Sequence, residues 1–242
     1  MEYPFLETSV IDGEATALLK AVFGGPWKAR KPVDLETIVY DHLSPRESLS
    51  FNDEADLAPE NGEIVLGKTL PIRGKILINR ALKADPEPGR GRFTLAHELG
   101  HWVLHRPLFL ARKGELDLFA GAGGVDEDFE LVGLNKAVFP GSCSARAVAR
   151  EEWQANRFAV ALLIDPEVLR EEFVLRFEVP VIARSSREWR GKGRTLRELS
   201  SLVGRGTVNG HPPLRDVFGL SKEAMAIALE SRGYVVESAL AL

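Results

Sequence analysis

The chain has 242 residues, of which 45% are hydrophobic and 27% are charged, and its formal net charge is −4. These values are typical of a globular protein with one sizeable domain, or one domain and an appendage, and the mild charge does not argue for a nucleic-acid partner. No apolar run is long enough for a membrane helix, the start lacks the pattern of a signal peptide, and a single cysteine, Cys143, excludes an internal disulfide, so a cytoplasmic protein is expected.

The first third of the chain predicts two helices followed by two short strands. The helices are predicted at residues 12–23 and 32–40. The polar residues 44–62, which open with Ser-Pro, are predicted to be irregular. The strands are predicted at residues 64–66 and 75–78, and a turn rich in proline and glycine joins them.

Residues 93–105 predict one helix that is apolar on nearly every side and contains an H-E-x-x-H motif. His97 and His101 are four residues apart, so both imidazoles lie on one helix face and can reach one metal ion. Glu98 lies beside them, where it can accept a proton from water. Gly100 indicates that another element approaches closely, because glycine inside a helix otherwise costs about 1 kcal/mol. The pattern is typical of zinc-dependent hydrolases; the alternative is a set of hydrogen-bonded core histidines.

A mononuclear site of this type needs a third protein ligand, and a second predicted helix over residues 151–163 offers two glutamates. Glu152 is followed one turn later by Asn156, whose amide could hydrogen-bond to a metal-bound histidine and fix its tautomer. Glu151 is the rival ligand. The alternative for both glutamates is a solvated helix face.

The connector between the two helices has two interpretations. Residues 107–142 are rich in glycine and carry an acidic cluster, so they predict either a lid over the site or, more simply, a surface loop. Cys143 follows the connector. It is either a further zinc ligand or redox switch, or a small buried apolar residue.

After a predicted helix at 166–177 the sequence becomes rich in basic residues. This change predicts a core domain at residues 1–182 and a helical extension at residues 183–242. The segment from Arg184 to Arg205 contains seven basic residues, both ends included. Further on, residues 214–218 and 221–231 predict helix, tight turn and capped helix, the outline of a helix-turn-helix. The interpretations are DNA contact, docking of a protein partner, or packing on the core. The last is favoured over DNA contact, because the second helix offers few basic side chains.

Two segments, residues 92–105 and 152–159, together with the two predicted strands before them, resemble the ImmA/IrrE metallopeptidases. The resemblance extends from about residue 33 to residue 166, although the connector is longer than usual for that family. It implies an α+β, zincin-like core with a single zinc ion bound by His97, His101 and Glu152, and with Glu98 as general base. It also favours Glu152 over Glu151. The ligand set itself suits manganese as well as zinc.

The resemblance further implies an endopeptidase that cleaves a helix-turn-helix transcriptional repressor and so regulates stress-response or mobile-element genes. The alternatives are a DNA-binding regulator and a toxin–antitoxin-like partner that binds without cutting. An edge of a zincin sheet lines the substrate groove, so either predicted strand could pair with an extended peptide. His105, one turn beyond His101, is a candidate contact for the oxyanion or substrate, with packing at the helix end as the alternative. The other candidates for this contact are Tyr40, Tyr234 and Arg157.

Overall fold

The computed structural model describes residues 4–59, 64–87, 89–111, 131–134, 150–178, 182–185 and 207–238, and these form a mixed α+β fold. The α-helices are α1 (Thr8–Phe23), α2 (Ser44–Glu47), α3 (Gly89–Gly100), α4 (Arg150–Leu163), α5 (Pro166–Phe177), α6 (Leu214–Phe218) and α7 (Lys222–Ser231). The strands are β1 (Ser50–Ala55), β2 (Val65–Leu70), β3 (Lys75–Asn79), β4 (Leu131–Leu134), β5 (Ile182–Ser185) and β6 (Val235–Ser238). Wider π-helical turns occur at Thr37–Leu43 and His101–His105, and a 3₁₀ turn occurs at Arg80–Ala84.

Two helices that local capping signals predicted, at residues 166–177 and 221–231, are confirmed. The Asp165 side chain accepts hydrogen bonds from the backbone amides of Glu167 and Val168, at the start of α5. The Ser221 side chain accepts one from the amide of Ala224, at the start of α7. In both cases a short polar side chain satisfies amides that have no partner within the helix. These starts are therefore set by residues close in sequence.

The main sheet has four strands in the order β1-β3-β2-β4. The predicted turn between β2 and β3 is confirmed, and these two strands are antiparallel. Strand β1 runs parallel to β3, and β4 runs antiparallel to β2. Among the described strands, the edges of this sheet are therefore β1 and β4. The prediction that β2 or β3 offers a free edge to a peptide is wrong, because each has a strand on both sides.

The prediction that residues 44–62 are irregular is also wrong, since α2 and β1 lie within them. Strand β1 carries mostly polar side chains, and only Ala55 is fully buried. A strand whose side chains are largely exposed has little apolar alternation, so its sequence pattern resembles that of a loop. The strand forms because it pairs with β3, and the local sequence pattern does not indicate that pairing.

Helix α3 is central, because it contacts both β2 and α4. At the crossing with α4, a side-chain Cβ built on Gly100 would lie 2.9 Å from the Cα of Ala155 and 3.0 Å from its carbonyl oxygen. The close approach predicted at Gly100 is thus confirmed. It brings the two predicted ligand-bearing helices into direct contact.

Gly100→Ala is therefore expected to lower the free energy of unfolding by about 1–3 kcal/mol, the usual cost of overpacking. Gly13, in the exposed face of α1, is the matched control, because nothing lies within 4 Å of a Cβ built there. Gly13→Ala is expected to raise the same free energy by about 0.5–1 kcal/mol, the gain in helix propensity. Denaturant unfolding of both variants measures the difference. Equal shifts in the two variants would contradict the packing argument.

The described part of the carboxyl-terminal region packs against the core. Residues 224–229 of α7 are all buried, and Met225 and Leu229 belong to the same hydrophobic cluster as Leu99 of α3. The buried Arg176 of α5 donates to the carbonyl of Pro212, just before α6. The predicted boundary at residue 183 adjoins residues outside the described ranges and stays a prediction. No helix of the described residues is long and apolar enough to cross a membrane.

Candidate metal centre

Three side chains from two helices converge where α3 passes α4. The Nε2 atoms of His97 and His101 are 3.0 Å apart. The carboxylate of Glu152 places one oxygen 3.2 Å from Nε2 of His97 and the other 3.1 Å from Nε2 of His101. Both histidines are buried and Glu152 is half-buried. This cluster could hold a metal ion.

The spacing suits a small tetrahedral ion. Ligand atoms about 2.0–2.1 Å from such an ion lie about 3.3 Å from one another, close to the observed distances. The hydrogen-bonding pattern also indicates a cation at this position. Nδ1 of His97 donates to Oδ1 of Asn156 at 2.9 Å, so Nε2 of the neutral ring has a lone pair that faces the Glu152 carboxylate. Two acceptors at this distance need a cation between them, either a proton or a metal ion.

The acid–base properties of the cluster show where that proton lies when no metal is bound. Burial alone would lower the pKa of His97, but the hydrogen bond and charge of Glu152 raise it to about 9. Burial lowers the pKa of His101, and the neighbouring His97 lowers it further, against the attraction of the Glu152 carboxylate. Burial would raise the pKa of Glu152, yet its interactions with the two histidines hold it well below its ordinary value. The metal-free cluster therefore carries its extra proton on Nε2 of His97, within hydrogen-bonding distance of both the Glu152 carboxylate and Nε2 of His101.

The stability of the metal-free protein is expected to peak near pH 6.5. Between pH 6.5 and about 9 the folded protein keeps the His97 proton that the unfolded chain loses, so stability falls as pH rises, by about 3 kcal/mol in all. Below pH 6.5 the unfolded chain binds protons at His101 and His105 that the folded protein does not, because both pKa values are lowered. Stability therefore also falls as pH drops. Denaturant unfolding in chelator across this range measures it, and a flat profile above pH 6.5 would contradict the assignment.

Glu98 is completely buried and is oriented by β2. The hydroxyl of Thr69 donates to Oε2 of Glu98 at 2.7 Å. Gly67 is two residues away on the same strand face, and a Cβ built there would lie 2.6 Å from Oε1 of Glu98. Neither residue is among the site residues predicted from the sequence. In the sequence they are only a glycine and a threonine at alternate positions of a strand. That pattern does not indicate which helix the two residues face.

His105 contacts the Nδ1 side of the His101 ring, whereas Nε2 of His101 faces the cluster. It is fully buried, with Nδ1 2.9 Å from Nδ1 of His101 and Nε2 2.9 Å from Oε1 of Gln154. Both ring nitrogens thus have partners within the protein, and the contact with an oxyanion or substrate stays a prediction. In the π turn at His101–His105 the two histidine rings are tilted by 49°, with their centroids 5.1 Å apart.

The remaining predicted residues divide into those with other contacts and those outside the described ranges. Glu151 is not part of the metal-binding group. Arg157 forms a bidentate ion pair with Asp12 of α1, and Tyr40 and Tyr234 pack against aromatic rings. Cys143 and most of the 107–142 connector lie outside the described residues. Within that connector, however, the described strand β4 replaces part of the predicted loop.

Comparisons with protein-family models, curated proteins and solved structures gave no match. The site is therefore interpreted from its own geometry and from the sequence resemblance.

Proposed function

We propose that the protein is a zinc-dependent endopeptidase with a zincin-like core, and that it cleaves a helix-turn-helix transcriptional repressor. One observation carries the proposal. Two imidazoles and a carboxylate converge at 3.0–3.2 Å, and the helix that supplies both imidazoles also supplies the buried Glu98. A structural zinc site has four protein ligands, whereas a catalytic one has three and an open position. Among the described residues the cluster has three ligands, which corresponds to the catalytic kind.

In this proposal His97, His101 and Glu152 hold the ion, and Asn156 keeps His97 in the tautomer whose Nε2 is free. A bound zinc ion would polarise the scissile carbonyl and lower the pKa of water from about 15.7 towards 7. Glu98 accepts the proton of the attacking water and later delivers it to the leaving amine. Thr69 restricts the Glu98 carboxylate to one orientation throughout these transfers. The same ligand set would also accept manganese.

The substrate class rests on the resemblance of residues 92–105 and 152–159 to the ImmA/IrrE segments. It is tested by incubating the zinc-loaded protein with the repressor encoded beside its gene, with Glu98→Gln as the control. A single defined cut made only by the wild type supports the proposal. A repressor that stays intact with both proteins, while both bind zinc, would contradict this substrate.

The DNA-binding alternative is less favoured by the geometry of α7. Six consecutive residues, 224–229, are buried, so packing covers every face of the helix that would enter a groove. Docking of α7 in DNA would first require those contacts to break. Most of the basic stretch between Arg184 and Arg205 lies outside the described residues. Salt-dependent binding to its own promoter would revive this alternative.

A further inference from the structure

A chain of hydrogen bonds leads from His101 away from the metal cluster to the backbone near the start of the protein. Nδ1 of His101 lies 2.9 Å from Nδ1 of His105, and Nε2 of His105 lies 2.9 Å from Oε1 of Gln154. The amide nitrogen of Gln154 then donates to the carbonyl oxygen of Pro4 at 2.8 Å. Each link therefore has the length of a direct hydrogen bond.

The last link determines the direction of all the others. A carbonyl oxygen can only accept, so Gln154 must turn its amide nitrogen towards Pro4 and its oxygen towards His105. That oxygen can only accept, so the proton of His105 is on Nε2 and its Nδ1 has a lone pair. His101 must then donate from Nδ1, which leaves a lone pair on the Nε2 that faces the cluster.

Burial makes this ordering effective. His101, His105 and Gln154 are all completely shielded from solvent, so water does not compete for their hydrogen-bonding groups. The ring of Phe5 stacks on Trp153, with centroids 6.1 Å apart and planes 12° apart. This contact holds the segment that carries the Pro4 carbonyl on the helix that carries Gln154.

We propose that Gln154 and His105, oriented by the Pro4 carbonyl, are positioning residues that hold His101 in the tautomer with Nε2 free for the metal ion. The part of this proposal that concerns metal binding rests on the proposed function. His97 has a one-step equivalent in Asn156, whereas the support for His101 passes through two side chains to the backbone. The amino-terminal segment thus contributes to a site formed by α3 and α4 without contacting the metal.

The first test reads the tautomers directly and needs neither zinc nor a substrate. Long-range proton–nitrogen NMR correlations of the ¹⁵N-labelled, metal-free protein distinguish the two neutral forms of His105, whose signals are assigned by their loss in His105→Phe. The proposal expects one form, with the proton on Nε2. A proton on Nδ1, or an even mixture of forms, would overturn it whether or not the protein proves to be a peptidase.

The second test compares two substitutions of Gln154 by zinc titration against a competing chelator. Gln154→Met is close in size and removes both hydrogen bonds, so zinc affinity is expected to fall about 10–100-fold, the usual cost of losing an outer partner of a ligand. Gln154→Glu is the conservative control, because its carboxylate still accepts from Nε2 of His105. It is expected to retain most of the affinity.

Wild-type zinc affinity in Gln154→Met, or equal losses of affinity in both variants, would overturn the proposal that this chain of hydrogen bonds fixes the tautomer of His101. Circular dichroism confirms that each variant is folded before titration. Failure of the wild type itself to bind zinc would count against the proposed function, while the NMR result would still decide the arrangement of the hydrogen bonds.

Discussion

Glu98→Gln is expected to lower the rate of peptide hydrolysis by about 10²–10⁴-fold and to leave zinc binding unchanged. The amide of glutamine cannot accept the proton of the attacking water, whereas its oxygen can still accept the hydrogen bond that Thr69 donates to Glu98. The side chain is not part of the three-residue metal-binding group. Fold and metal content should therefore be preserved while the chemical step is lost. Single-turnover cleavage of the neighbouring repressor, with metal analysis of both proteins, measures the effect.

Glu151→Gln is the control for this experiment, because it makes the same chemical change outside the metal-binding group. It is expected to cleave at the wild-type rate. If Glu98→Gln cleaves as fast as this control, Glu98 is not the base. If Glu98→Gln loses its zinc as well as its activity, the assignment of separate roles to Glu98 and the three ligands is wrong.

Glu152→Gln is expected to weaken zinc binding by more than the 10–100-fold that loss of an outer-shell partner costs, because it neutralises a ligand. The substitution also removes the carboxylate that raises the pKa of His97, so His97 is expected to titrate at lower pH in the metal-free protein. Competition with a chelator gives the affinity, and NMR titration gives the pKa.

Glu151→Gln separates the two glutamates that the sequence leaves as rivals. Both lie in the first turn of α4, yet only the Glu152 carboxylate reaches the histidines. Zinc affinity in Glu151→Gln should match the wild type. A larger loss in Glu151→Gln than in Glu152→Gln would reverse the ligand assignment.

The residues of the site that could be predicted from the sequence are those whose relationship is local. His97, Glu98 and His101 share one helical turn, so their spacing alone places them together. Glu152 is 51 positions further along the chain than His101, and its selection over Glu151 depended on a resemblance rather than on spacing. Asn156 could be predicted once Glu152 was chosen, because the two are one turn apart on the same helix.

The site residues that could not be predicted from the sequence make contacts between different secondary-structure elements. Thr69 contacts Glu98 because the register of β2 brings its side chain onto α3, and that register depends on pairing with β3 and β4. The relay through Gln154 depends on how α4 crosses α3, and on a segment that precedes α1. Strand β4 could not be predicted for a related reason. It consists of four residues in a glycine-rich connector, and it forms by pairing with β2. Tertiary contacts of this kind leave no periodic pattern in the sequence.

The most direct test of the account is a crystal structure of the zinc-loaded protein, with anomalous diffraction recorded on both sides of the zinc absorption edge. The account predicts one strong peak about 2.0–2.2 Å from Nε2 of His97, from Nε2 of His101 and from the carboxylate of Glu152. Glu98 should lie beside the peak without binding it. A zinc ion bound elsewhere, with the hydrogen bond between His97 and Glu152 still intact, would contradict the metal centre and the peptidase proposal that depends on it.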